Sequence, residues 1–224
     1  MKKEKYVVLA LVLFTTQFIM AQFTIDGEFR PRTEYRHGFG TLIADGADAG
    51  YGISTRARLN FGYAEESYKV YVSLQDVMTW GENRQLLPAD ANNSFALFEA
   101  YAELKLGSGF TTKIGRQSIS YDDQRIMGGL DWAQQGRNHD AALLSYEKDK
   151  FLLDVGLAFN QDKADLSGFS SVGTEYSTTG FFSYKAMQYL YLKQSWDAFS
   201  GSLLVLNNGF QEYEDDGITA DGTS

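Results

Sequence analysis

The chain contains no cysteine, only two histidines and only two prolines. The absence of cysteine excludes disulfide bridges, thiol catalysis and a lipid-modified N-terminal cysteine. With only His37 and His139 available, and both near predicted loop ends, a metal site or catalytic triad built on histidine is not expected. Scarce proline, 22 glycines and 15% aromatic residues are typical of a β-protein. We therefore expect no metal, no cofactor and no enzymatic activity.

Long apolar runs are also missing, except at the N-terminus. Lys2, Lys3 and Lys5 precede an apolar stretch that ends at Met20, and a small residue follows at the expected cleavage point. This pattern predicts a secretory signal peptide over residues 1–21 and no transmembrane helix after it. Its removal takes away three Lys and one Glu, so the net charge falls from −9 to −11. Such acidity argues against nucleic acid as a partner.

The rest of the chain repeats one unit, a strand of about a dozen residues in which apolar and polar side chains alternate. In residues 23–36, for example, Phe29 and Tyr35 share one face and every charged residue lies on the other. The pattern predicts nine strands, at about 23–36, 53–63, 68–75, 95–106, 110–120, 139–147, 151–160, a strand ending near 196, and 199–208. We expect a β-bulge near Gly115, because Ile114 and Arg116 share a face.

The links between these strands alternate between tight turns and long loops. The long links are about residues 37–52, 81–93, 121–137, 162–179 and 210 onward. This asymmetry is typical of an outer-membrane barrel, whose long loops face outside. The sequence thus predicts an all-β fold: a transmembrane antiparallel up-and-down β-barrel over residues 22–224, in the outer membrane of a Gram-negative bacterium. A soluble periplasmic β-domain is the alternative.

The number of strands is odd, whereas bacterial single-chain barrels have an even number. Because an open sheet edge cannot sit in hydrocarbon, we expect residues 22–224 to be incomplete at the C-terminus, as a fragment of a larger barrel. Otherwise the domain must oligomerise or close with a tenth strand.

Strand alternation also assigns side chains to lipid or to the lumen. We expect Phe98, Leu157 and Leu190 to face lipid, and Tyr189 to face the lumen. Gly156 should also face the lumen, so we expect an arginine there to be milder than an arginine at Leu153 or Leu157.

Several segments resemble the alginate-export family of outer-membrane barrels, in its Bacteroidetes-type form. They are Arg30-Pro-Arg-Thr-Glu-Tyr-Arg36, Ser54-Thr-Arg-Ala-Arg-Leu59, Leu74-Gln-Asp-Val77 with Trp80-Gly81, Glu99-Ala-Tyr101, Ile114-Gly-Arg-Gln117, Tyr121-Asp-Asp-Gln-Arg125, Trp132 with Gly136-Arg137, and Leu206-Asn-Asn-Gly209. The order and spacing of these motifs are more specific than any one of them. The resemblance implies a larger monomeric barrel in contact with outer-membrane lipid. It also implies a pore whose basic lining passes an anionic polyuronate.

The lumen-facing positions supply candidates for that lining. The basic candidates are Arg30, Arg32, Arg56, Arg58, Lys69, Lys105, Lys113 and Arg116, and the acidic residues on the same face are Glu28, Glu34, Glu99, Glu103 and Asp154. A planar guanidinium suits a carboxylate, and basic rings in a pore favour anions. Cross-strand Arg–Glu pairs that merely stabilise the wall are the competing interpretation. Glu99 and Glu103 lie about 13 Å apart on a strand, too far for a glycosidase pair.

Two outer-loop features are less specific. Asp122, Asp123 and Asp131 could hold a divalent cation, but a solvated acidic loop is the preferred interpretation. Trp80 and Trp196 fit an aromatic girdle, whereas Trp132 fits either a girdle or sugar stacking.

The function expected from the sequence is passive transport of an anionic polysaccharide or a related anionic solute. The alternatives are a general or anion-selective porin that passes small anions, and a non-conducting barrel whose outer loops bind at the cell surface.

Overall fold

The computed structural model describes residues 22–38, 42–82, 95–160, 184–213 and 220–223. The predicted signal peptide, and parts of the long links, lie outside these residues. Nine long strands follow one another: β1 Phe23–Arg36, β2 Gly50–Ala64, β3 Tyr68–Thr79, β4 Ala96–Gly107, β5 Phe110–Gln117, β6 His139–Lys148, β7 Phe151–Phe159, β8 Ala186–Ser195 and β9 Ser200–Gly209. The short strands β10 Gln211–Tyr213 and β11 Ala220–Thr223 pair with each other. The described residues contain no helix long and apolar enough to cross a membrane.

The nine long strands form one antiparallel sheet in sequence order, β1 to β9. Turns of two to four residues join β2 to β3, β4 to β5, β6 to β7 and β8 to β9, and the other links are long. The predicted all-β, up-and-down fold is therefore confirmed, with strand bounds that differ from the expected ones by a few residues. In the described part of the chain the sheet is open, because β1 and β9 are the ends of its order.

Two compact units divide the chain. The first comprises residues 1–65, 69–100 and 118–138, and the second comprises residues 66–68, 101–117 and 139–224. In the first unit, β1 pairs with β2 in an unbroken register from Phe23 opposite Tyr63 to Arg36 opposite Gly50. In the second unit, β6 to β9 pair through similarly unbroken registers.

Each unit has one face of exposed apolar side chains. In the first unit these include Ile25, Phe29, Leu59 and Val70, and in the second Leu144, Val155, Leu157, Leu203 and Val205. The opposite face is polar and largely buried, with Arg56, Ser73 and Gln75 in the first unit and Asp154 in the second. An exposed apolar surface of this kind belongs in lipid rather than in water.

Three local expectations were wrong. Phe98 is not on the lipid side; it is buried at 3.7 Å from the guanidinium carbon of Arg58. The pairing of β5 with β6 runs through Gly115 without a register shift, so this pair contains no bulge, although Gly115 has a φ of +125°. The link after residue 210 contains β10 and β11 rather than loop alone.

Gly156 lies at a tightly packed position on the buried face of β7. It lies directly opposite Tyr189 of β8, and both residues are buried. A Cβ added at Gly156 would overlap the ring of Tyr189. Tyr189 therefore fills the space that the glycine leaves, and a longer side chain at Gly156 requires this ring to move.

We expect Gly156→Ala to destabilise the folded protein by about 1–3 kcal/mol, because the new methyl group overpacks against the ring. Combining it with Tyr189→Leu should cost less than the sum of the two single changes. A double-mutant cycle of urea unfolding in lipid vesicles measures this coupling. Strictly additive effects would show that the ring and the glycine do not share this space.

Candidate functional site

Two arginines face each other across the first strand pair. Arg30 of β1 lies directly opposite Arg56 of β2 in the register of the sheet. Like charges directly opposite on neighbouring strands repel each other. This position needs negative or hydrogen-bond-accepting partners, and the structure supplies two sets of them.

Glu28 is the first partner. Its carboxylate accepts hydrogen bonds from Arg56 Nε at 3.0 Å and Arg56 Nη2 at 2.5 Å. The same carboxylate lies 3.9 Å from Arg30 Nε and 3.8 Å from Arg58 Nη1. One glutamate therefore compensates part of the charge of three arginines, and it stands two residues from Arg30 on the same face of β1.

The second set of partners comes from the link between β5 and β6, residues 118–138, which we call the β5–β6 loop. Arg30 donates to the carbonyl oxygens of Asp131 at 2.6 Å and Ala133 at 2.7 Å. Arg56 donates to the carbonyls of Ala133 and Gln134, both at 3.4 Å. The loop lies against the polar face of β1 and β2, and its backbone acts as an acceptor for that face.

Side-chain amides of glutamine and asparagine form further hydrogen bonds between the loop and the strands. The buried side chain of Gln134 accepts a hydrogen bond from Arg30 Nε at 3.0 Å and donates one to Ser54 Oγ at 2.9 Å. Gln75 of β3 donates to the carbonyl of Gln135 at 2.9 Å, and Asn138 donates to the carbonyl of Phe98 at 2.8 Å. These amides were missed at the sequence level. The polar run Gln134, Gln135 and Asn138 within a long link was the available signal.

The loop has an apolar centre and a constrained backbone of its own. Ile119 and Met127 are buried. Leu130 has a φ of +50°, which is uncommon for a bulky side chain. Gly136 has a φ of +70°, and a Cβ there would meet Arg58 and the ring of Phe98. The segment thus has one defined path over the strands, as expected of a packed loop rather than a solvated one.

Asp131 is the charged residue of this path. Its carboxylate lies 2.9 Å from Arg56 Nη2 and 3.5 Å from Arg58 Nη1. Partial burial alone would raise the pKa of Asp131, but the hydrogen bond and charge of Arg56, with Arg58 and Arg30, lower it. Its side chain remains 73% exposed. Asp131 is thus paired with the strand arginines, whereas Asp123 of the same loop pairs with Arg125 at 2.8 Å.

The four candidate arginines of β1 and β2, that is all of their arginines except Arg36, differ sharply in exposure. Arg56 is 1% exposed, and Arg58, which lies on Phe98 and donates to Gln75 at 2.6 Å, is 10% exposed. The side chains of Arg30 and Arg32 remain 30% and 33% exposed. Arg32 donates to the carbonyl of Trp132 at 3.0 Å, and its Nε has no hydrogen-bond partner in the described structure. Arg30 and Arg32 are thus the members of this group that a solute can reach.

The other basic candidates have contacts or surroundings of their own. Lys69 lies over the ring of Tyr71 at 5.6 Å, and Lys113 lies over Tyr101 at 3.9 Å. Lys105 is exposed beside the β4–β5 turn. Arg116 pairs with Asp140 at 2.8 Å and shares its face with the exposed Ile114. This face is the apolar one, so Arg116 does not belong with the lumen candidates.

The acidic candidates have separate roles. Glu34 lies 3.5 Å from Arg32 and 2.9 Å from Arg36, and Glu99 accepts from the N–H of Ser118 at 2.8 Å, where the β5–β6 loop begins. In the second unit, Asp154 is buried and accepts from Ser145 Oγ at 2.5 Å. Glu103 is half-buried on β4. Glu28, Glu99 and Asp154 therefore each accept a hydrogen bond from within the protein, as expected of residues that stabilise the fold.

The comparison with protein families gives this geometry its context. Residues 21–160, more than half of the chain, match the profile of the family described as alginate export. The chain belongs to the alginate-export family. This is an outer-membrane β-barrel family with a transport role, and the matched segment contains β1 to β7 and the whole β5–β6 loop. A search of the curated proteins gave no match.

Replacing Arg56 by Met should destabilise this alginate-export protein by about 3 kcal/mol, because Glu28 and the loop carbonyls lose a buried partner. Arg36→Met, at a half-exposed side chain of the same strand pair, should change stability by less than about 0.5 kcal/mol. Urea unfolding in lipid vesicles compares the two. Equal losses would mean that Arg56 is no more important to the fold than a surface arginine.

The anchoring of the β5–β6 loop should weaken in acid. Since the folded-state pKa of Asp131 is lowered, its contribution is present above the ordinary carboxyl pKa of about 4 and is lost as pH falls through the lower folded value. Protection factors of the Ala133 and Arg137 amides, measured by hydrogen exchange, should therefore fall below about pH 4. Asp131→Asn should show the reduced protection already at pH 7. Unchanged protection in this variant would show that the loop carbonyls alone hold it.

Proposed function

We propose that this protein exports an anionic polysaccharide through the outer membrane, along the polar face of its strands. Family membership supports the general role of an outer-membrane transport barrel. The arrangement of Arg30 and Arg32 supports the finer statement, because these two cations remain accessible after the β5–β6 loop has covered Arg56 and Arg58.

In this proposal the polar face lines the lumen and the β5–β6 loop narrows it. The loop places Asp131 against Arg56 and the carbonyl of Trp132 against Arg32, so a passing chain would meet a short polar constriction rather than a uniform basic wall. Selectivity is set by the charges at a constriction, which is compatible with an acidic protein overall. Several weak and exposed charges suit transport better than one buried cluster, because bound solute must also leave.

The buried arginines have a different role. Arg56 and Arg58 hold the loop in place, and a solute carboxylate could reach them only by displacing Asp131 or Glu28. We therefore assign substrate contact to Arg30 and Arg32 and positioning of the constriction to Arg56 and Arg58. Lys69, Lys105 and Lys113 stay weaker candidates for the same path, and Arg116 is left out of it.

The test is the ion selectivity of the protein in planar lipid bilayers. Arg32→Gln keeps a donor for the carbonyl of Trp132 but removes the charge. It should shift the reversal potential toward cations and weaken block of the current by added oligogalacturonate. Because salt screens charges over about 10 Å at 0.1 M, the shift should be largest in dilute electrolyte.

Arg116→Gln is the matched control, since it removes the same charge on the apolar face and should leave both readouts unchanged. If small anions permeate but polyuronate of any length neither blocks nor passes, the protein is an anion-selective porin. If no current is observed at all, transport is excluded and the surface-binding alternative remains.

A further inference from the structure

Trp132 is the most exposed tryptophan of the chain, although its backbone is firmly held. Its side chain is 76% exposed, compared with 61% for Trp80 and 49% for Trp196. Its carbonyl oxygen accepts a hydrogen bond from Arg32, and the neighbouring carbonyls of Asp131 and Ala133 accept from Arg30. A large aromatic ring is therefore presented from a fixed backbone, without the ordering cost that a free loop would incur on binding.

The other two tryptophans have local partners. Trp80 donates its indole N–H to Thr55 Oγ1 at 2.9 Å, and Trp196 stacks on Phe199 with ring centroids 4.6 Å apart. Both stand next to strand ends, where an interfacial girdle is expected. Within the described residues, Trp132 has neither a hydrogen-bond acceptor for its indole nor an aromatic ring against it.

The position of Trp132 argues against a girdle role for it. Its backbone lies against Arg30 and Arg32, on the polar face, whereas the apolar face of the same strands carries Phe29 and Leu59. An indole in contact with lipid would have to belong to a residue on the apolar face of the sheet. The carbonyl oxygen of Trp132 accepts from the Arg32 guanidinium, and Asp131, with its exposed carboxylate, precedes it in sequence, so an apolar ring and a few polar groups belong to the same short stretch, as in a ligand site.

We propose that Trp132 and Arg32 form a subsite for one sugar ring of an acidic polysaccharide. The indole would stack on the apolar face of a pyranose, and the accessible guanidinium would bind the carboxylate of the same or the next residue. Asp131 would accept hydrogen bonds from sugar hydroxyl groups, because its exposed carboxylate retains free lone pairs. This subsite would recognise a uronate ring rather than charge alone, and it rests on the function proposed above.

Two polyanions of equal charge separate ring recognition from charge recognition. Oligogalacturonate carries sugar rings and oligoglutamate does not. In planar bilayers, Trp132→Ala should weaken block by oligogalacturonate about 3- to 10-fold, as expected for the loss of one stacking contact. Block by oligoglutamate should change by less than twofold. Trp132→Phe should retain most of the block, and Trp196→Ala should leave it unchanged.

A second measurement observes Trp132 directly and needs no current. In a variant with Trp80→Phe and Trp196→Phe, oligogalacturonate should change the indole fluorescence in a saturable way, and oligoglutamate should not. This readout also covers the case in which Trp132→Ala does not fold.

The outcomes separate the two proposals. An anion-selective current that depends on Arg32, with equal block of the Trp132→Ala variant and the unmodified protein, would overturn the subsite and leave the transport function standing. Equal weakening for both polyanions would also overturn it, because Trp132 would then act on pore size alone. If the protein carries no current, the transport proposal fails, and the fluorescence titration still decides whether Trp132 binds sugar rings.

Discussion

The repulsion between Arg30 and Arg56 is the constraint on which the arrangement of the first unit depends. The register of β1 and β2 places them opposite each other, and Arg58 follows two residues later on the same face. A carboxylate on the same strand pair, Glu28, can compensate only part of this charge. The remaining positive charge is compensated by Asp131 and by backbone carbonyls of the β5–β6 loop. These carbonyls lie about a hundred residues after Arg30 in sequence. The loop takes its path over the polar face because the strongest hydrogen-bond donors of the unit are there.

The same hydrogen bonds fix the loop backbone while leaving some of its side chains exposed. A charge-assisted hydrogen bond is worth about 1.5–3 kcal/mol, and the loop receives several of them from Arg30, Arg32 and Arg56. Such bonds hold the backbone of residues 131–134 in place, while the side chains of Asp131 and Trp132 remain exposed. The arginines that the sequence suggests as a substrate path therefore donate many of their hydrogen bonds to the protein itself. The contacts of Arg56 and Arg58 fit the stabilising interpretation, and solute guidance is proposed for Arg30 and Arg32.

The strands and their turns could be predicted because period-two patterning is a local property. β1 begins and ends at the predicted residues, and the buried Tyr189 and exposed Leu157 lie on the predicted sides. The failures share a physical cause, since each depends on a partner distant in sequence. Phe98 is apolar, and a local pattern assigns it to lipid, yet a guanidinium plane is an equally good surface for its ring. The ring that packs on Gly156 belongs to the next strand, β8, beyond a long link, so this contact could not be read from β7 alone.

The candidate site was the harder part to predict, because most of its acceptors are main-chain carbonyls. The side chains of residues 130–135 do not distinguish this segment from an ordinary outer loop. In the sequence, Asp131 was therefore interpreted as one of three solvated acidic residues. The structure separates these acids by their partners: Asp123 binds an arginine of its own loop, whereas Asp131 binds arginines of the strands. Charge around the β5–β6 loop is consequently almost balanced, with Glu28 and Asp131 against Arg30, Arg56 and Arg58. In the proposed transport role, net charge alone would therefore not select a polymer there. Exposure distinguishes the residues, which is why we propose substrate contact for the exposed Arg32 and Trp132 rather than for the buried Arg56 and Arg58.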